Sequence, residues 1–228
     1  MIVDIVLLTF PNHPKRLEYL GHTWDCLQKY MVASGDTIRY LCVSESERDP
    51  ACPWCGDELE QFCHERDIPL TWLSGPASLG HGMNGAMRTA QSAIFGLHQD
   101  DYELKHPLDL SPGIRMMERH AEVDLIRYGY PPPEFKWRHL DYKDGWKRFD
   151  LTAHWPYGDE PRLQRKTFPT KFGWYTENNG HASEGTMLWT LVRRNAVILA
   201  ADKRYYDHYG TVSAVPANKE MMGRISQR

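Results

Sequence analysis

No apolar run in the sequence approaches the roughly 20 residues that a membrane-crossing helix needs, so no membrane span is expected. The opening stretch MIVDIVLLTF carries an acid at Asp4 and neither a basic leader nor a small-residue cleavage site, and it reads as a strand rather than a signal peptide. A surplus of positive charge is also missing. Lys and Arg number 27 against 30 Asp and Glu, a net charge of -3, which argues against a protein that binds nucleic acid through its charge as a whole. There is no internal repeat and no low-complexity tract. The Gly-x4-Gly-Lys-Ser/Thr phosphate pattern is absent. Cysteine is scarce and odd in number, five residues in 228, which points to reduced thiols and a cytoplasmic setting.

What is present is a succession of short β-rich runs and amphipathic stretches. Ile2 to Thr9 is continuous and apolar, the pattern of a strand buried on both faces. Leu17, Leu20, Trp24, Leu27 and Met31 recur at spacings of three and four and predict a helix face. Ile38 to Val43 predicts a second strand, DELEQFCHER a short helix and LTWLS a third strand. GPASLGHG then forms a loop before a small-residue helix face at Met83, Ala86, Met87 and Ala90. Ala93 to Leu97 predicts a fourth strand, followed closely by two adjacent acids, Asp100 and Asp101. This alternation implies an α/β domain with a mostly parallel sheet. Ligands of such sheets sit outside the carboxyl ends of the strands, which is where Thr9, Ser44, Asp100 and Asp101 fall.

The texture changes after Leu110. Ser111 and Pro112 suit an N-cap and a first-turn proline, DLIRYGY a strand, SEGTMLWTLVRRN a helix capped by Ser183, and AVILA a last strand. The reading is of one domain over residues 1–228, with halves at 1–110 and 111–228. Between Lys136 and Phe172 periodicity is weak, and nine Lys or Arg stand against five acids among interleaved aromatics. Sugar platforms and nucleic-acid grooves use such surfaces, and so does an irregular core with solvated charges.

Three motifs taken in order, TFPNHPKRLEYLGHTWDCLQ, GPASLGHGMNGAM and LHQDDYEL, resemble the GT-A fold glycosyltransferases, with Gln99 standing where that family often has a further acid. The resemblance covers roughly Ile2 to Leu110. It implies a Rossmann-like GT-A sheet flanked by helices, with an irregular acceptor-side half. It also implies a nucleotide-sugar donor, UDP-sugar favoured, and a Mn²⁺ or Mg²⁺ cofactor. By the same resemblance Asp101 holds the metal against the diphosphate and Asp100 contacts ribose or sugar. Thr9, Phe10, Pro11, Arg16, Ser44 and Glu45 lie near the nucleotide. His208, in YYDHYG, matches a late histidine that completes the metal shell. Glu184, in GHASEGTMLW, matches a base that deprotonates the acceptor hydroxyl, with Asp144 in reserve. Asn84 is placed at the donor sugar or diphosphate.

Each of these residues has a plainer reading. Adjacent acids occur in solvated turns, Arg16 suits an exposed helix start, and Glu184 complements a helix dipole. Cys52, Cys55, Cys63 and His64 offer a half-site for zinc, although adjacent Cys63 and His64 point apart on a helix; the alternative is an insert with buried free thiols. The functional expectation is a metal-dependent glycosyltransferase acting on a protein, glycan or modified nucleic-acid hydroxyl. The rivals are a nucleotidyltransferase of similar fold and a non-catalytic zinc or nucleic-acid-binding module. The first rival calls for a glycine-rich basic loop after the first strand, and TFPNHPKR has no glycine.

Overall fold

A computed structural model describes residues 1–45, 47–49, 52–75, 77–129, 139–151, 160–177 and 182–209. The apolar opening run is β1 (Ile2–Thr9), buried from its second residue onward. The helix α1 (Pro14–Tyr30) starts at a capping histidine, His13, whose Nδ1 accepts the Lys15 amide at 3.1 Å. It ends in β2 (Met31–Val32) and is followed by β3 (Thr37–Ser44), α2 (Pro53–Glu65) and β4 (Leu70–Trp72). Then come α3 (Leu79–Thr89), β5 (Ile94–Gln99), β6 (Tyr102–Leu104) and β7 (Leu108–Asp109). Next are α4 (Ser111–Arg119), β8 (Val123–Arg127) and β9 (His139–Asp141), with a 3₁₀ turn at Lys143–Gly145 before β10 (Lys147–Phe149). The chain continues through β11 (Arg162–Arg165), α5 (Phe168–Phe172), α6 (Ala182–Arg193), β12 (Val197–Ala200) and β13 (Tyr206–His208).

Nine strands form one sheet in the order β4-β3-β1-β5-β11-β8-β12-β10-β9. β4, β3, β1 and β5 run parallel, and so do β8 and β12; β11 and β10 are inverted. The sheet thus draws strands from both halves of the chain. Residues alternate across β1, with Val3, Ile5 and Leu7 facing a core shared with α1, α2 and α4, and Val6 and Leu8 facing one shared with α3, α5 and α6. Two short pairs, β6 with β13 and β2 with β7, stand outside the main sheet.

Several expected boundaries move. The fourth strand runs to Gln99, so the acids follow it with no gap. α2 begins at Pro53, so most of the expected insert is helix. Ser111 lies inside α4, capped from outside by Asp109 Oδ1, which accepts the Ser111 amide at 2.9 Å. α6 starts at Ala182, one residue before its expected cap. The buried stripe of α1 is Arg16, Leu20, Thr23, Cys26 and Leu27, while Leu17 and Trp24 are only half-buried. The expected apolar face is rotated toward two polar residues, for a reason that lies in the acids of β5. The cysteine expectation is corrected: Cys52 and Cys55 are disulfide-bonded, and Cys26, Cys42 and Cys63 are free and buried.

Three strands of the main sheet that the sequence pattern did not mark, β9, β10 and β11, lie in the basic aromatic stretch. Every described Lys or Arg of that stretch has an internal partner. Lys166 donates to the carbonyls of Met87, Arg88 and Ala90 at the end of α3, and Arg165 to those of Met117 and His120 at the end of α4. Both are cations placed where a helix presents unpaired carbonyls. Arg162 reaches the Tyr175 hydroxyl at 3.0 Å, Lys171 pairs with Asp124 at 2.7 Å, and Lys143 pairs with Glu122 at 2.6 Å. Lys147 pairs with Asp141, and Arg148 donates to the Ala196 carbonyl at 3.2 Å. Phe149, Phe168 and Phe172 are core residues. Lys136, Trp137, Arg138, Trp155 and Tyr157 lie outside the described residues.

One acid in the centre of β1 holds three elements together. Asp4 is fully buried and faces Arg39 across the β1–β3 register, accepting from its Nε at 2.7 Å. Its other oxygen accepts the Gln91 and Ser92 amides at 2.6 and 2.8 Å. Burial pushes the Asp4 carboxyl up, but these donors outweigh it and hold it below the ordinary range. Replacing Asp4 by Ala leaves two backbone amides without an acceptor and is expected to cost about 2–4 kcal/mol of unfolding free energy in urea melts. A loss under about 0.5 kcal/mol would count against this anchor.

Candidate active site

The carboxyl ends of β1, β3 and β5 form one edge of the sheet, where Thr9, Ser44 and Asp100 lie with Glu45 and Asp101 next to them. Asp100 is 0% exposed. The Thr9 hydroxyl donates to its Oδ2 at 2.5 Å, and Arg16 Nη2 reaches its Oδ1 at 2.5 Å. The same guanidinium donates from Nη1 to Asp101 Oδ2 at 3.0 Å. Arg16, 4% exposed, therefore bridges both acids from the first turn of α1. It is not the surface helix-start residue of the plainer reading. Burial pushes the Asp100 carboxyl up, to about 7, against the pull of Arg16. Burial also lifts Asp101, but a hydrogen bond from His208 and the charge of Arg16 hold it below the ordinary carboxylate range.

The β6–β13 pair brings the late histidine to these acids. Its antiparallel register sets His208 opposite Tyr102, one residue beyond Asp101. His208 Nε2 lies 3.3 Å from Asp101 Oδ2, with the imidazole side chain 53% exposed. Tyr209, which follows, donates its amide to the Asp101 carbonyl at 3.1 Å and its hydroxyl to the Tyr19 carbonyl at 2.6 Å. Thr23 Oγ1 donates to the carbonyl of Asp100 at 2.8 Å, which accounts for the rotated stripe of α1. Thr23 and Tyr209 were missed in the sequence. Their signals were thin: Thr23 stands seven residues after Arg16 on one helix face, and Tyr209 is the neighbour of His208.

Phe10 and Pro11 are buried at the end of β1, and Ser44 and Glu45 at the end of β3. Glu45 adds a third negative charge that acts on Arg16. α3 starts so close to Glu45 that a Cβ on Gly82 would meet its Cγ at 2.7 Å, so glycine is needed there. Asn84 bonds within the protein. Its amide group donates to the Tyr175 carbonyl at 3.0 Å and to Glu177 Oε1 at 2.7 Å, and its oxygen accepts the Tyr175 amide at 2.9 Å. These bonds make it an anchor of the 173–177 segment. His81 Nδ1, 3.0 Å from Glu177, holds the same segment.

The two candidate bases part company. Glu184 lies half-buried in the first turn of α6, which packs beside α3. α6 leads into the start of β12. Asp144 sits in the 3₁₀ turn of the β9–β10 hairpin and faces Arg119 at 3.2 Å and His120 at 3.7 Å. β10 stands four places from β5 in the sheet, about 19 Å at the usual strand spacing of about 4.8 Å. Asp144 instead lines a separate cavity of about 420 Å³ with Asp109, Trp146 and Asp202.

The residues present fit a divalent cation. Asp101 Oδ1 is buried and accepts no hydrogen bond among the described residues. Three carboxylates, Asp100, Asp101 and Glu45, share one guanidinium. Carboxylate oxygen with a neighbouring imidazole nitrogen suits Mn²⁺ better than Mg²⁺, which takes oxygen almost alone. The alternative zinc half-site does not assemble: Cys52 and Cys55 are bonded to each other, and His64 is exposed while Cys63 is buried.

No family model matches the sequence, and no curated protein does. Among solved structures the chain is similar to S. aureus TarS residues 1–349 in complex with UDP-GlcNAc, at 14% identity and a TM-score of 0.61, covering 92% of this chain and 60% of that one. It is similar to a longer S. aureus TarS structure at 15% identity and a TM-score of 0.63, covering 93% and 37%. It also resembles mannosyltransferase PcManGT from Pyrobaculum calidifontis in complex with GDP-Man and Mn²⁺, at 13% identity and a TM-score of 0.58, covering 98% and 59%. The chain thus spans between about a third and three-fifths of the length of these proteins. The likeness is one of fold, a GT-A-like α/β sheet flanked by helices.

Arg16 generates the test of this geometry. Arg16→Ala leaves two buried carboxylates without their cation and is expected to lower stability by about 3–5 kcal/mol in urea denaturation. Arg16→Lys keeps the charge without the fork and should lose less. Wild-type stability in Arg16→Ala would mean the acids do not depend on it.

Proposed function

We propose that this chain is a glycosyltransferase that moves a sugar from a nucleotide-sugar donor, UDP-sugar favoured, to a hydroxyl acceptor with a divalent metal. The observation that carries the reading is the unsatisfied Asp101 oxygen beside His208, in an acid pair clamped by Arg16 at the carboxyl edge of a GT-A-like sheet. The complexes of similar structures with UDP-GlcNAc, UDP, and GDP-Man with Mn²⁺ support it.

In this reading Phe10 and Pro11 after β1, with Ser44 and Glu45 after β3, line the crevice for the nucleoside. Asp101 and His208 hold Mn²⁺ or Mg²⁺, while Asp100, buried against Thr9 and Arg16, fixes the position of Asp101 and does not touch ribose. A divalent cation bound there would neutralise the charge that grows on the departing diphosphate without proton transfer. Glu184 takes the proton of the acceptor hydroxyl as its oxygen bonds to the anomeric carbon and the bond to the diphosphate breaks. Asn84 and His81, through the 173–177 segment, hold the approach to α6 and so position Glu184. The nucleotidyltransferase alternative fares worse: no glycine-rich basic loop follows β1, and Arg16 is committed to the acids.

Calorimetry with UDP is expected to show affinity that rises with Mn²⁺ in the wild type. Asp101→Ala should lose that dependence, and His208→Ala should weaken it at least tenfold. Unchanged affinity in Asp101→Ala would remove the metal assignment. Glu184→Gln should bind donor normally and lose transfer by about 10²–10⁴-fold. Turnover within a few-fold of wild type would reduce Glu184 to a helix-start residue.

A further inference from the structure

We infer that a second cation site, suited to zinc, lies on α1 and β6 and is formed by His22, Cys26 and Glu103. Among the described residues these three make up the one group of three or more His, Cys, Asp or Glu whose ligand atoms, each within 4.8 Å of the others, could hold a metal ion. His22 and Cys26 are four residues apart on α1 and so share a face. Glu103 lies between buried Tyr102 and Leu104 on β6, and its alternation turns it outward toward that face. His22 Nε2 is 3.4 Å from Glu103 Oε1 and 3.8 Å from Cys26 Sγ. A tetrahedral zinc with bonds of about 2.0–2.3 Å separates its ligand atoms by about 3.4–3.6 Å. Two of the three edges therefore stand close to the required lengths, and the third, Cys26 to Glu103, is within 4.8 Å.

The surroundings suit a ligand set. Lys105 Nζ holds the other Glu103 oxygen at 2.7 Å, leaving Oε1 turned to His22. The Tyr209 ring meets His22 edge-on at 5.1 Å and limits its rotation. Such outer contacts orient metal ligands. His22 is half-exposed, which supplies an entry path, and three protein ligands leave a fourth position for water. A thiolate selects softer ions, so this site separates by chemistry from the oxygen-rich one at Asp101. A bound ion would fasten α1, which carries Arg16, to β6, which pairs with the strand carrying His208. It would thus brace both sides of the acid pair. The inference does not depend on the transferase reading.

The test uses the purified full chain, stripped with chelator and titrated with Co²⁺. One equivalent should produce a sulfur-to-cobalt charge-transfer band that Zn²⁺ abolishes and excess Mg²⁺ or Mn²⁺ does not. Cys26→Ser should lose the band, Cys63→Ala should keep it, and His22→Ala and Glu103→Gln should weaken Co²⁺ binding at least tenfold. Zinc should raise the Tm of the wild type and not of Glu103→Gln. No band in the wild type, or a band that persists in Cys26→Ser, overturns the proposal. If Cys26→Ser fails to fold by circular dichroism, Glu103→Gln decides, and unchanged Co²⁺ affinity there overturns it as well.

Discussion

The structure is organised around one buried guanidinium. Asp100 and Asp101 leave the end of β5 inside the protein, where each carboxylate costs several kcal/mol unless it is paired. Arg16 answers both, from a helix whose first turn is set by His13 and Pro14. That requirement decides which face α1 turns inward, and it places Thr23 on the Asp100 carbonyl. It also leaves one Asp101 oxygen without a hydrogen-bond partner among the described residues.

The same economy of paired charges runs through the rest of the sheet. Asp4 in β1 gathers Arg39 and the amides before β5, and Asp124 in β8 gathers Lys171 and the Val197 amide at the start of β12. Arg165 and Lys166, adjacent at the end of β11, cap two helices on opposite faces. These groups tie helix ends and strand starts to the sheet through specific hydrogen bonds, where apolar contact alone would leave register free. A half of the chain with few hydrophobic repeats can therefore still supply central strands.

The site was partly legible before the fold was known. The apolar runs at Ile2 to Thr9 and Ile38 to Val43, and the acids after the run that includes Leu97, were enough to assign a parallel sheet and to put Thr9, Ser44, Asp100 and Asp101 at one edge. Arg16 remained ambiguous, because helix periodicity marks apolar faces and an arginine buried against carboxylates leaves no periodic trace. Asn84 was ambiguous for a related reason: an amide near a glycine-rich loop suits a ligand as well as it suits the Tyr175 backbone. β11 was hidden because its buried side chains include Arg162 and Gln164, which bond to Tyr175 and to the sulfurs of Met83 and Met87.

What the sequence by itself determined was local: strand and helix types over the first hundred residues, the mostly parallel sheet, and the positions where acids leave a strand. These follow from periodicity and side-chain chemistry within a few residues. Only the tertiary structure decided which distant groups meet. His208 reaches Asp101 across 107 positions because β13 pairs with β6 in one register. Asp144 is carried away because its hairpin joins the far edge of the sheet. Cys26 meets Glu103 because α1 packs on β6. Strand order and register are set by the packing of the whole chain, and no short stretch of residues contains them.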